Sequence, residues 1–92
     1  MREIIRKRIQ FTGLVQGVGF RWRAKNAAAD LGLTGWVRNE YDGSVTMEMQ
    51  GSKVQIAAVI DMLERDRWIR ITNMEVKELP LVEEERSFRV RY

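Results

Sequence analysis

The sequence predicts an α+β fold in which two helices lie on a single face of one sheet. Three observations predict it. Segments with a two-residue apolar period alternate with segments whose apolar residues recur every three or four positions, in the order βαββαβ with one further strand. Asp42-Gly43 joins the second and third strand-like segments by a pair suited to a tight hairpin. Finally, 92 residues, 45% hydrophobic and 32% charged, are enough for one hydrophobic core and too few for two independent ones.

Residues Ile4 to Thr12 open the series, with Ile5, Lys7, Ile9 and Phe11 set against Arg6, Arg8 and Gln10 in a strand rich in β-branched and aromatic types. Gly13, Gly17 and Gly19 interrupt it. Phe20, Ala24, Ala27, Ala28 and Leu31 then recur at helical spacing and define one buried stripe. Gly32 followed by apolar Leu33 is a common left-handed helix stop, so the second strand should begin near Thr34. Trp36 to Glu40 and Val45 to Gln50 flank Tyr41-Asp42-Gly43-Ser44 and should pair antiparallel. Val45, Met47 and Met49 alternate with Thr46, Glu48 and Gln50, giving the third strand one core face and one polar face. Ser52-Lys53-Val54-Gln55 matches a capping box opening a second helix, with Ile56, Val59, Ile60 and Leu63 inward, that fades near Asp66. Met74 and Val76 alternate with Glu75 and Lys77 in a fourth strand ended by Pro80, and Phe88, Val90 and Tyr92 suggest a short last one. Right-handed crossovers put the third strand between the first and second. The result is a ferredoxin-like sandwich: an antiparallel sheet of four strands plus a short C-terminal strand, with both helices on one face. With no repeat and no low-complexity tract, residues 1–92 read as one domain.

Composition narrows the chemistry. Cysteine and histidine are both absent, which removes thiol nucleophiles, disulfides, imidazole dyads and triads, and the commonest transition-metal ligands. The N-terminal residues are basic and open no apolar run long enough for a signal peptide or membrane span, so a cytoplasmic location is the default expectation. A formal charge of +3 favours anionic partners of any kind.

Two places could serve such a partner. Val15-Gln16-Gly17-Val18-Gly19-Phe20-Arg21 lies between a predicted strand and a predicted helix. Glycines there let successive backbone N–H groups converge on one point, and a helix start adds its own free N–H groups and positive dipole end. Arg21 follows with a planar fork that can hold two oxygens of a phosphate. Taken alone, the loop is as well explained by glycines that only turn the chain, by Phe20 as core and by Arg21 as one solvated arginine among many. It is neither a Gly-Lys-Ser/Thr phosphate loop nor a three-glycine dinucleotide motif. Asn39 is the second place. Parallel first and second strands end on the same sheet edge, where the glycine loop opens, so a late asparagine can bring its amide to an attacking water. Alone, it reads more plainly as turn chemistry before Asp42-Gly43.

Together, Gly13-Leu14-Val15-Gln16-Gly17-Val18-Gly19-Phe20-Arg21, Leu31-Gly32-Leu33-x-Gly35-Trp36-Val37-Arg38-Asn39 and Asp42-Gly43-Ser44-Val45 resemble the acylphosphatase family over Phe11 to Gly51. The resemblance implies a metal-free, cofactor-free monomeric hydrolase of carboxyl phosphates, with inorganic phosphate as product and inhibitor. It assigns phosphate binding to the amides of Gln16, Gly17, Val18, Gly19, Phe20 and Arg21, a further phosphate contact to the Arg21 side chain, and water orientation to Asn39. Related domains of larger hydrogenase-maturation proteins handle carbamoyl phosphate. Two departures stand out: Ala24 occupies a position where many members carry threonine, and Arg67-Trp68-Ile69-Arg70 replaces a Gly-Pro segment before the fourth strand.

Other readings compete. An RNA-recognition module shares the βαββαβ order and would suit a pI near 9.7. Such modules stack bases on aromatics of the central strands, however, and the third strand here offers Val45, Thr46, Met47, Glu48 and Met49, so nucleic acid is disfavoured. A domain that keeps the phosphate loop without turnover is the other rival. Trp22 and Trp68 are expected to cover the core edge rather than to stack on a ligand. Glu83-Glu84-Glu85 is expected to be a solvated loop, with no metal.

Overall fold

The computed structural model describes residues 3–92. Its elements are β1 (Ile4–Leu14), α1 (Phe20–Asp30), β2 (Thr34–Asn39), β3 (Val45–Ser52), α2 (Lys53–Arg65), β4 (Arg70–Leu79) and β5 (Phe88–Arg91). They build one five-stranded sheet in the order β4-β1-β3-β2-β5. The first four strands pair antiparallel, and β5 joins β2 in parallel. Because β1 and β2 are both antiparallel to β3, they are parallel to each other and finish at the same edge of the sheet. No helix among the described residues is long and apolar enough to cross a membrane.

Local signals in the chain set the element ends. Gly32, at φ 76°, closes α1: its amide donates to the Ala29 carbonyl at 3.0 Å and that of Leu33 to Ala28 at 2.9 Å. The Ser52 hydroxyl accepts from the Gln55 amide at 3.2 Å while the Gln55 side chain accepts from the Ser52 amide at 2.9 Å, completing the capping box of α2. β1 runs two residues past the expected Thr12, because its register with β4 shifts between Thr12 and Gly13. Gly13 makes that shift feasible, since a Cβ there would collide with the Arg70 carbonyl.

The core lies between the sheet and the two helices. Ala24, Ala27 and Ala28 let α1 approach the strands closely, and Phe20 fills the remaining gap against Phe11 with ring centroids 5.0 Å apart. The opposite face of the sheet carries the polar residues of β3, as its alternation predicts, but it is not open to solvent. Thr46 and Glu48 are buried there, because residues 80–87 return across it. Gln50 exchanges two hydrogen bonds with the Val82 backbone, at 3.0 and 2.8 Å. Arg6, only 2% exposed, donates to Glu48 at 2.8 Å and to Glu85 at 2.7 Å. The run Glu83-Glu84-Glu85 is thus only partly solvated, since Glu85 turns inward to pair with a buried guanidinium that needs a compensating charge.

Candidate active site

The loop between β1 and α1 holds two left-handed glycines, Gly17 at φ 75° and Gly19 at φ 78°. Alternating such residues with right-handed ones turns consecutive N–H groups toward one side. Gly19 is also the N-cap residue of α1, with no side chain capping it and no acidic residue in the first turn. Among the described residues, no amide from Gln16 to Trp22 donates to another protein group. These free donors stand at the positive end of a helix dipole, a setting that favours an anion.

Side chains brace the loop from two directions. Gln16 Nε2 donates to the carbonyls of Glu40 at 2.7 Å and Ser44 at 2.8 Å, which ties the loop to the β2–β3 hairpin. Arg23 Nη1 donates to the Val18 carbonyl at 2.7 Å, and its Nε pairs with Asp66 Oδ2 at 2.5 Å. Val18 packs its side chain against the core, and Phe20 is buried in it, so neither offers its side chain to the open side.

A cleft of about 880 Å³ opens beside the loop, lined by Val15, Gly17, Gly19, Phe20, Arg21, Trp22, Lys25 and Asn39 on one side and by residues of the 87–92 segment on the other. Arg21 is half-buried, with its guanidinium carbon 4.9 Å from the Tyr92 ring centroid, and it pairs with no carboxylate among the described residues. Asn39 is half-buried at the end of β2. Its Oδ1 is fully enclosed, and no described group donates to it. The turn is closed instead by Asp42, whose Oδ1 accepts from the Ser44 amide at 2.9 Å. Hydrogen bonds from the Ser44 hydroxyl and amide hold the Asp42 carboxyl below its ordinary range. Gly17, Gly19, Arg21 and Asn39 thus all line one cleft.

The tryptophans do not cover the core edge. Trp22 is 68% exposed at the cleft, since two residues of helix turn it about 200° away from Phe20 on the buried stripe. Trp68 is 56% exposed, because neighbouring Ile69 takes the buried position, and Arg67 lies over its ring. Sequence reasoning missed the Gln16 and Arg23 side-chain braces and the wall formed by β5. Nothing in the sequence marks Arg23 among 16 basic residues, and β5 reaches the cleft only through long-range pairing with β2.

A family model described as acylphosphatase matches residues 7–90. The chain belongs to the acylphosphatase family. The acylphosphatase of Bifidobacterium longum is 44% identical over 90 residues, which span 96% of this chain and 93% of that one. The crystal structure of acylphosphatase from Bacillus subtilis matches with a TM-score of 0.87 at 29% identity, covering 96% of this chain and 99% of the other. A crystal structure of full-length HypF in its phosphate- and nucleotide-bound form matches all of this chain with a TM-score of 0.88 and 29% identity, over 12% of its own length. The departures from the acylphosphatase pattern lie outside the cleft lining: Ala24 is fully buried on α1, and the 67–70 segment leads into β4.

Proposed function

We propose that the chain hydrolyses acyl phosphates to a carboxylate and inorganic phosphate. Water oriented by Asn39 attacks, in line, a phosphoryl group held by the amides of Gln16 to Arg21 and by the Arg21 side chain. The observation that carries this reading is one cleft lined by the glycines of an uncapped helix start with free amides, by an arginine that pairs with no carboxylate among the described residues, and by Asn39 at the end of β2.

In the reaction, the water oxygen bonds to phosphorus as the bond from phosphorus to the acyl oxygen breaks. The Asn39 amide hydrogen-bonds the water and holds its lone pair toward the phosphorus, while the water's proton passes to the product phosphate or to solvent. The transition state is loose, so positioning and charge stabilisation carry most of the rate and a strong base is dispensable. The amides and Arg21 meet the charge spread over the equatorial oxygens. The departing carboxylate needs no proton. An alkoxide does, and this mechanism assigns no general acid, so ordinary phosphate monoesters should be poor substrates. All these groups come from one chain, which suits a monomer.

Purified protein should turn over acetyl and benzoyl phosphate, continue in excess EDTA, and be inhibited competitively by inorganic phosphate. A folded protein without turnover, or activity lost in EDTA and restored by a divalent ion, contradicts the reading.

A further inference from the structure

We propose that Arg23 is a positioning residue for the loop, aiming the Gly19 amide into the cleft, and that Asp66 is its anchor. The inference rests on reading Gln16 to Arg21 as the phosphate site. In a planar trans peptide the carbonyl and the following N–H point in opposite directions. Arg23 Nη1 holds the Val18 carbonyl at 2.7 Å, so the Gly19 N–H of the same peptide is turned the other way. Gly19 lines the cleft and Arg23 does not, which makes the cleft that other direction. A second observation agrees: a Cβ on Gly19 would run into the Arg23 guanidinium, so the cation lies directly against this peptide. A guanidinium on the carbonyl also polarises the peptide and strengthens its N–H as a donor.

The guanidinium is held from its far side. Its Nε pairs with Asp66 Oδ2 at 2.5 Å just beyond the end of α2, and the side chains are 31% and 18% exposed. The other Asp66 oxygen accepts from the Trp68 amide at 2.8 Å, which fixes the carboxylate in turn. A partly exposed ion pair contributes little to stability. Its consequence is geometric: the end of α2 sets the orientation of one peptide in the loop.

The test is a titration of ¹⁵N-labelled protein with inorganic phosphate, following the Gly17 and Gly19 amides, with turnover measured on the same samples. Arg23→Met keeps the aliphatic stem and deletes the cation. It should weaken phosphate binding and raise KM by a common factor of about tenfold, on the scale of one charge-assisted hydrogen bond, with little change in Tm. Arg23→Lys should recover part of that loss, since an ammonium can reach the Val18 carbonyl but cannot also offer a fork to Asp66. Unchanged phosphate affinity in folded Arg23→Met overturns the role given to Arg23. If phosphate moves neither glycine amide in the unsubstituted protein, the phosphate-site reading falls, and this proposal with it. Should Arg23→Met fail to fold, Asp66→Asn carries the test: a smaller rise in both constants supports the anchor, and unchanged constants overturn it.

Discussion

Replacing Asn39 and replacing Arg21 should leave different kinetic signatures, because the proposed mechanism gives the water to the first and the phosphate to the second. Asn39→Ala deletes an acceptor that no described group uses, so the fold should be little affected. Its kcat should fall by about two orders of magnitude, with the phosphate inhibition constant nearly unchanged. Arg21→Ala should raise KM and lower kcat together, since the guanidinium meets charge before and during reaction. Steady-state kinetics with phosphate as inhibitor, alongside thermal melts, separates the two. The turn role belongs to a different residue: Asp42→Ala should lower Tm while leaving kcat per folded molecule intact. At this scale the sequence, through strand direction and the family resemblance, brought the loop glycines, Arg21 and Asn39 into one neighbourhood, and all of them line the same cleft. It was silent on the side chains of Gln16 and Arg23, whose significance lies in which distant or neighbouring carbonyl each reaches.

The element order was readable because each boundary is marked within a few residues: Gly32, Asp42-Gly43, and Ser52 with Gln55. The buried polar face of β3 was not, since alternation separates apolar from polar positions but cannot show that Glu85 returns over Arg6 from 79 residues away. That return has a testable pH signature. Burial by itself would raise the Glu85 carboxyl, but hydrogen bonding and charge from Arg6 outweigh it and hold it below the usual glutamate range. A depressed folded value means that the stabilisation is present above the unfolded carboxyl range and is lost as pH falls through the folded one. Tm should therefore decline on acidification below about pH 4.5. Glu85→Gln should cost about 2 kcal/mol near neutrality and show a shallower acid decline. Equal acid slopes for the two proteins in thermal melts would contradict this assignment.

For the molecule as a whole, the sheet brings the ends of β1 and β2 to one edge and β5 alongside them, so three segments far apart in sequence share one cleft. The sheet face opposite the helices offers no open aromatic platform among the described residues. Residues 80–87 cross it, and the guanidinium groups of Arg38 and Arg91 lie against the Trp36 ring, 5.1 and 4.5 Å from its centroid. That arrangement speaks for the cleft, rather than this face, as the working surface. With no histidine in the chain and no titrating side chain placed in the mechanism, kcat should show no enzyme ionisation between about pH 6 and 8, which a pH–rate profile checks. The central claim is that the water is aimed at phosphorus and not at the acyl carbon. Hydrolysis of acetyl phosphate in ¹⁸O-labelled water, with products analysed by mass spectrometry, tests it most directly. The mechanism places the label in inorganic phosphate, and label in the acetate would contradict it.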